Sequence, residues 1–551
     1  MALPTKIRIP WVIGLFTFYA LAFISIVIFR YYYLAGDAAD SALFENIAIL
    51  GSPPGYESEF LKSIQVIIRK FVSNPTEVSI LDFPTDKGLD GLLIGAHAYL
   101  IMPLISVFSK LLGFKLIVAF IAASITVMPF AFALRIISQS VKKFDLKIHI
   151  TIIAIIGTYP AILWSGLGQF YPDRLFVILF PLFLMQIDIL KRSEKKRDIA
   201  FFLTLAVLST SVTERSSIYV FLACAIFAVT SSKNRNILII TGTLSVVWSI
   251  TYYKYISTDN YPNSFFDQAK SIDGLKLLIF SIPTLKLVLF HIPGFILLAK
   301  MRDLQVLLLL AMTPNLLGNI GGAEKIGWVT HYMSYLSATY IGVILVWLQR
   351  KFALDNSIEK LSKHKSKAPL SKVVIERSTI VAITLATTCF IWVEPNSAGS
   401  TISTNYREHS GIFGKTLQWI EQGSSKKEFA SYKDTSKVLN AMLPVNAKIG
   451  VSEASAKYLS SKQPNIYMFP AGIEKLDYVV LNSLINLEKS YVQNPIANYA
   501  NPEVGLRITD EAQAMLLGPC FKDVSPAGIY PIFIFKREWN SELSGKCLKI
   551  G

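Results

Sequence analysis

Read with the positive-inside rule, the charges between the apolar runs put Asp37, Asp40, His97, Asp173, Glu214 and His331 on the same side of a membrane. Ionisable groups at the edge of a bilayer are costly and are kept mostly where they serve a purpose. Asp37 and Asp40 lie in Gly36-Asp37-Ala38-Ala39-Asp40-Ser41-Ala42-Leu43-Phe44-Glu45-Asn46, directly after the first apolar run. A carboxylate there can take a proton from an attacking hydroxyl. Two further segments pair an acid with an arginine: Gln169-Phe170-Tyr171-Pro172-Asp173-Arg174 and Thr213-Glu214-Arg215-Ser216. Either pair can simply staple a tight turn. Alternatively, Arg174 and Arg215 hold a phosphate, which guanidinium suits geometrically. Lys325 and His331 would add positive charge, and His97 stands just before a further apolar stretch.

These residues need elements that bring them to one place. More than half of the 551 residues are apolar, beyond the usage of a soluble domain. The apolar runs recur at lengths near the roughly 20 residues needed to cross a bilayer. The run from Trp11 to before Arg30 is too long for a signal-peptide core and reads as an uncleaved anchor. Basic residues then set the orientation. Lys6, Arg8, Arg135–Lys147, Lys191–Arg197, Lys233, Arg235, Lys300, Arg302 and the loop from Arg350 to Arg377 all fall in short segments, where the positive-inside rule applies. A spanning Leu92–Leu112 would strand Arg135, Lys142, Lys143 and Lys147 outside. That stretch is therefore expected as amphipathic helices in the outer interface.

The expected architecture is an all-α polytopic membrane domain over residues 1–394. It has about eleven spans, near 11–30, 114–134, 148–166, 175–190, 198–213, 217–231, 236–253, 282–299, 304–320, 331–349 and 378–394. A long outer loop occupies 31–113. The N-terminus is expected in the cytoplasm and the chain in the plasma (inner) membrane. Residues 395–551 turn polar, with short apolar segments at Lys448–Val451, Asn465–Phe469, Tyr478–Leu481 and Tyr530–Phe535. Helical segments at Thr435–Leu443, Ala454–Ser460 and Thr509–Leu517 alternate with them, predicting a small extracytoplasmic α/β domain. Cys520 and Cys547 could pair there if the compartment is oxidising.

The net charge of +16 is explained by the short basic loops and their anionic lipid partners, and no nucleic acid is expected. There is no metal-type Cys/His cluster. Gly318-Asn319-Ile320-Gly321-Gly322 lacks the strand–turn–helix setting of a phosphate loop. A site on the outer face has no access to cytosolic nucleotides. Group transfer there needs a donor arriving through the bilayer, such as a sugar on a polyprenyl phosphate.

An anchor helix, an acidic motif in a long first outer loop, interfacial helices and a closing outer domain resemble the GT-C superfamily of lipid-sugar-dependent glycosyltransferases. The chain resembles more closely a bacterial and archaeal family of membrane proteins of unknown function within it. That family's Phe-Asp-Leu-Gly-x-Phe-Asp-Gln motif is similar to Asp40-Ser41-Ala42-Leu43-Phe44-Glu45-Asn46. Its His-x-x-Pro region resembles His97 onward, its Phe-His-Pro-Glu resembles Phe170-Tyr171-Pro172-Asp173, and its Lys-Glu-Asp resembles Thr213-Glu214-Arg215. Pro314-Asn315-Leu316-Leu317, His331-Tyr332 and Asp477-Tyr478-Val479 match further motifs. Tyr171 replaces a histidine, which argues against a metal or proton role at that position.

The resemblance implies an inverting transfer of a sugar from a polyprenyl-phosphate carrier to a glycan, lipid or protein acceptor. Asp40 would serve as base or acceptor-orienting group, with Asp37 as neighbour or substitute. Arg174 and Arg215 would hold the leaving phosphate, where charge builds in the transition state. His97, Asp173, Glu214, Lys325 and His331 would line the site. No obligatory metal is expected, although some superfamily members use a divalent cation. The rival expectation is a transporter or flippase for lipid-linked saccharides, or a non-catalytic envelope-assembly protein.

Overall fold

The computed structural model describes most residues within 99–140, 171–252, 301–321, 332–361, 435–451 and 516–538, parts of 455–481, and isolated positions including Phe44 and Ala48. Asp37, Asp40, His97, Lys325 and His331 lie outside the described residues, as do the expected spans at 148–166 and 378–394 and all but isolated positions of those at 11–30 and 282–299.

The first described part is helical: α1 (Met102–Leu112), α2 (Phe114–Ser140), α3 (Phe176–Leu190), α4 (Lys196–Thr210), α5 (Glu214–Thr230), α6 (Arg235–Thr251), α7 (Arg302–Gly321) and α8 (Tyr332–Leu361). A 3₁₀ turn, Pro172–Leu175, leads into α3. Each expected span within the described residues is a helix, and α8 runs twelve residues past the expected end at 349. As membrane spans, however, eleven is not supported. Among the described residues only Leu116–Ala133 is long and apolar enough to cross a bilayer. For α3 to α6 the physical reason is length. Helices of 15 to 17 residues, such as α3 to α6, extend only about 22–26 Å, against a hydrocarbon core of roughly 30 Å. The expected interfacial segment is represented by the 11-residue α1, with Pro103 in its first turn.

The helices pack around aromatic side chains. Phe176 stacks on Phe180, Phe183 on Phe202, and Tyr219 on Tyr335. Gly342 lets α8 approach α3 closely: a Cβ there would lie 2.6 Å from Leu184 Cδ1 and 3.1 Å from Pro181 Cα. Small residues do the same between α5 and α6, where a Cβ on Gly242 would meet the Cys224 Cβ at 3.0 Å.

Polar side chains gather at the helix ends. At one end, Arg350 Nε bonds Asp188 Oδ1 at 2.6 Å, and its two terminal nitrogens reach both Asp303 oxygens at 3.1 and 3.0 Å. Gln349 and Arg192 bond Asp188 Oδ2 at 3.2 and 3.1 Å. Asn234, in the left-handed conformation before α6, donates to the carbonyls of Leu190 and Ser193 at 2.9 and 2.7 Å. Asparagine tolerates that conformation better than most residues, and here its amide ties two turns together. Lys191 donates to Thr230 at 2.8 Å, and Lys233 meets Glu194 at 2.9 Å. The ends of α3 and α5, the starts of α4, α6 and α7 and the Gln349–Arg350 turn of α8 therefore meet at one end of the bundle.

The second described part is a five-stranded sheet: β1 (Ile449–Val451), β2 (Ile466–Met468), β3 (Tyr478–Leu481), β4 (Phe521–Asp523) and β5 (Phe533–Arg537). Its order is β2-β1-β3-β5-β4, parallel across β2, β1 and β3 and antiparallel across β3, β5 and β4. A helix over 435–442 covers it, with Leu439 and Leu443 packed in one core with Ile449, Val451, Val480 and Ile534. This is the expected α/β unit, with one strand more. The charged Phe-Lys-Asp of β4 carries no alternation and is a strand through its pairing with β5. Asp477 joins β3 to its neighbours, accepting from Lys448 N at 2.9 Å and from Arg537 Nη2 at 2.9 Å.

Two outcomes follow from this packing. Gly342→Val is expected to destabilise the fold by about 1–3 kcal/mol through overpacking, read as a lower Tm of the purified chain. Burial pushes the Asp303 carboxyl up, but the hydrogen bonds and positive charge of Arg350 outweigh it and hold the carboxyl below its ordinary 3.8. With its folded value depressed, Asp303 contributes stability that is full above the unfolded value and lost as pH falls through the folded one. Asp303→Asn should therefore flatten the acid limb of a Tm-against-pH curve below about pH 4, the ordinary carboxylate range.

Candidate functional site

The opposite end of the bundle starts from local capping. Thr213 precedes α5 in an extended conformation, and its hydroxyl accepts from the Ser216 N–H while Ser216 Oγ accepts from the Thr213 N–H. This reciprocal cap fixes Glu214 at the first position of α5. Pro172 starts the 3₁₀ turn that sets Asp173 at the entrance to α3. Both acids thus sit at helix N-termini, where the backbone dipoles favour negative charge.

Burial then forces these groups to find partners. Asp173 is 2% exposed and Glu214 1%. Tyr99 donates to Asp173 Oδ2 at 3.1 Å. Tyr335, one turn into α8, donates to Asp173 Oδ1 and is also hydrogen-bonded to the Thr213 hydroxyl. Arg215 Nε lies 3.7 Å from Glu214 Oε1, and Ser249 donates to the Glu214 carbonyl at 3.1 Å. The buried Arg174 lies over the Tyr171 ring, 5.9 Å from its centre. Burial first, and then the charge of Asp173, push the Tyr99 hydroxyl well above its ordinary value of 10. It stays protonated and able to donate. Tyr99 also feels Glu214 and Arg215, so the two acid–arginine turns belong to one electrostatic cluster.

An aromatic wall closes this end. The Phe44 ring meets Tyr99 edge-on at 5.3 Å and Tyr171 at 6.0 Å. Ser106 of α1 donates to the Ala48 carbonyl at 2.5 Å. Phe44 and Ala48 are thus packed at this end, and Phe44 is four residues beyond Asp40 in the sequence.

Of the sequence-predicted residues, Asp173, Arg174, Glu214 and Arg215 are gathered at this end, although they come from turns 41 residues apart. Asp37, Asp40, His97, Lys325 and His331 lie outside the described residues. Two members have no signal in the sequence motifs, Tyr99 and Tyr335, while Thr213 stands inside its motif without a role of its own. A tyrosine in a chain with 24 of them draws no attention. The available signals were position: Tyr335 is one helical turn beyond His331, and Tyr99 is two residues beyond His97.

Chemically, the cluster combines a carboxylate clamped by two phenols with two guanidinium groups. Among the described residues no group of three or more His, Cys, Asp or Glu is arranged to hold a metal. The clamp leaves Asp173 as a fixed negative point that orients two hydroxyls, and the arginines supply positive charge beside it.

Asp173→Ala would leave the Tyr99 and Tyr335 hydroxyls short of their shared acceptor, at an expected cost of about 2–4 kcal/mol. Tyr335→Phe, which removes the donor and leaves Asp173 its Tyr99 bond, should cost about 1–2 kcal/mol. Thermal or denaturant unfolding of the two variants checks the order. No family model matches the chain, and no curated protein or solved structure shows significant similarity to it.

Proposed function

We propose that this chain is a polytopic membrane glycosyltransferase that moves a sugar from a polyprenyl-phosphate carrier to an extracytoplasmic acceptor. The observation that carries the reading is the gathering of Asp173, Arg174, Glu214, Arg215, Tyr99 and Tyr335 at one end of a helical bundle, while Arg192, Lys195, Arg197, Lys233, Arg235 and Arg302 mark the other. Arginines beside a buried acid cluster suit a phosphate head group, and the outer position fits a donor delivered through the bilayer.

Three features support the setting. The outward faces of the helices are apolar: Val207, Val229, Leu244 and Ile250 are each more than half exposed, while serines, threonines, acids and arginines are buried. Lipid explains such a surface better than water does. Helices shorter than the bilayer are accommodated by local thinning and by basic residues that snorkel at their ends. Cys520 is disulfide-bonded, as suits a C-terminal domain in an oxidising compartment.

In this reading Asp40 is the base or acceptor-orienting group, with Asp37 beside it. Phe44 seats their segment against Tyr99 and Tyr171. Asp173 acts as a positioning residue that holds the two tyrosines, and Arg174 and Arg215 face the leaving phosphate. His97, Lys325 and His331 complete the lining, and no resident metal is invoked.

The second reading is a flippase, favoured by one observation. Ser249, Ser245 and Thr241 run down the buried side of α6, with Thr210 beside Ser245 at 3.4 Å. These hydroxyls extend about 12 Å from the cluster toward the middle of the bundle.

The decisive measurement is transfer of radiolabelled sugar from polyprenyl phosphate in membranes holding the full chain. Asp40→Asn should lower it about 100-fold or more without loss of folded protein. Undiminished transfer would remove Asp40 from the mechanism, and lipid translocation without a new glycosidic bond would favour the flippase. Non-reducing peptide mapping should find Cys520 linked to Cys547, and recovery of both as free thiols from native membranes would contradict the outward placement of the domain.

A further inference from the structure

At the end of the bundle opposite the acid cluster, a cleft of about 1420 Å³ opens between α2, α3 and α4. It exceeds the roughly 300–1,000 Å³ of a small-molecule site. Arg135 of α2, Lys195 of the turn and Arg197 of α4 line it, and all three are exposed. Phe132, Leu182, Met185 and Phe201 line it too. Phe132 and Phe201 lie about one helical turn from Arg135 and Arg197, and Leu182 lies eight residues, about 12 Å, before the end of α3 at Leu190.

The acids at the rim are already engaged. Asp188 is held by Arg350 and Arg192, Glu194 by Lys233, and the Asp198 carboxylate by the Ser193 hydroxyl. The positive charge of Lys195 and Arg197 therefore faces the cleft without an ion pair among the described residues.

We propose that this cleft binds an anionic phospholipid, with its phosphate at Arg135, Lys195 and Arg197 and an acyl chain along Phe132, Leu182, Met185 and Phe201. Charge complementarity selects the head group, and the apolar lining selects a lipid over a free anion. Cationic pockets between helices on the basic side of a membrane protein are suited to such head groups. The site would be separate from the donor site and would lie in the other leaflet. It rests on the membrane reading above, not on the transfer chemistry.

The test uses the full chain purified in mild detergent. Lipid retention is read by native mass spectrometry, and Tm is read with added phosphatidylglycerol, phosphatidylcholine or inorganic phosphate. Wild type should retain phosphatidylglycerol selectively and be stabilised by it, with no effect of phosphate at the same concentration. Arg135→Gln, Lys195→Gln and Arg197→Gln together should weaken retention by about fivefold per cation removed. The double variant Arg235→Gln/Arg302→Gln, neutralised at the same end but outside the cleft, should bind like wild type. Equal retention by the triple variant, equal binding of phosphatidylcholine, or stabilisation by phosphate alone would overturn the proposal. Carbonate washing of membranes separates the two readings. A chain washed off as soluble protein sinks both, whereas a retained chain without lipid selectivity sinks only this one.

Discussion

A carboxylate taken out of water must be paired, and that requirement organises the helical part of this protein. Asp173 is sealed between Tyr99 and Tyr335, and through Tyr335 it is linked to Thr213 and so to the cap of α5. The start of α3, the start of α5, the first turn of α8 and the segment before α1 are held by one buried anion. Neutralising it would weaken the hold on four pieces of chain at once, because the Tyr99 and Tyr335 hydroxyls both converge on it.

The opposite end repeats the principle with different chemistry. Arg350 spans Asp188 and Asp303, binding the second through two parallel hydrogen bonds. Asp173 and Asp188 lie fifteen residues apart on one helical path, and Tyr335 and Arg350 lie fifteen apart on another. Each interval corresponds to about 22 Å of helix. Two polar layers are thus set at matched depth, with the stacked rings of Phe176, Phe180, Phe183 and Phe202 between them. Such a bundle has a fixed register along its axis, since sliding α8 by one turn would break both layers together. A site built at one layer is thereby rigid.

Arg174 and Arg215 illustrate how a structural and a chemical role meet. Both stand beside buried acids and in that sense staple turns. The same placement concentrates positive charge next to two oriented phenols, a combination suited to stabilising a departing phosphate. Tyr99 is the hinge of this arrangement, because it touches Asp173 on one side and Phe44 on the other. Phe44 itself, four residues beyond Asp40 in the sequence, packs on the core through this aromatic contact.

Much was legible in the residues alone. Apolar runs bounded by lysines and arginines located α2 to α8, the C-terminal end of α8 twelve residues short, and alternation found four of the five strands. Both signals are local, arising from hydration along a short stretch of chain. The same patterning placed Asp173 with Glu214, because charge bias orders successive turns. It could not determine helix length against a bilayer: α3 to α6 stop at 15 to 17 residues, where capping by Thr213 and Asn234 and the polar layers end them. Nor could it find Tyr99 or Tyr335, Gly342 against Pro181, or the Asp188–Arg350–Asp303 bridge. Those depend on which helix faces which, and that was decided only when burial obliged the carboxylates to find donors on distant helices, 162 residues away for Asp173 with Tyr335 and for Asp188 with Arg350.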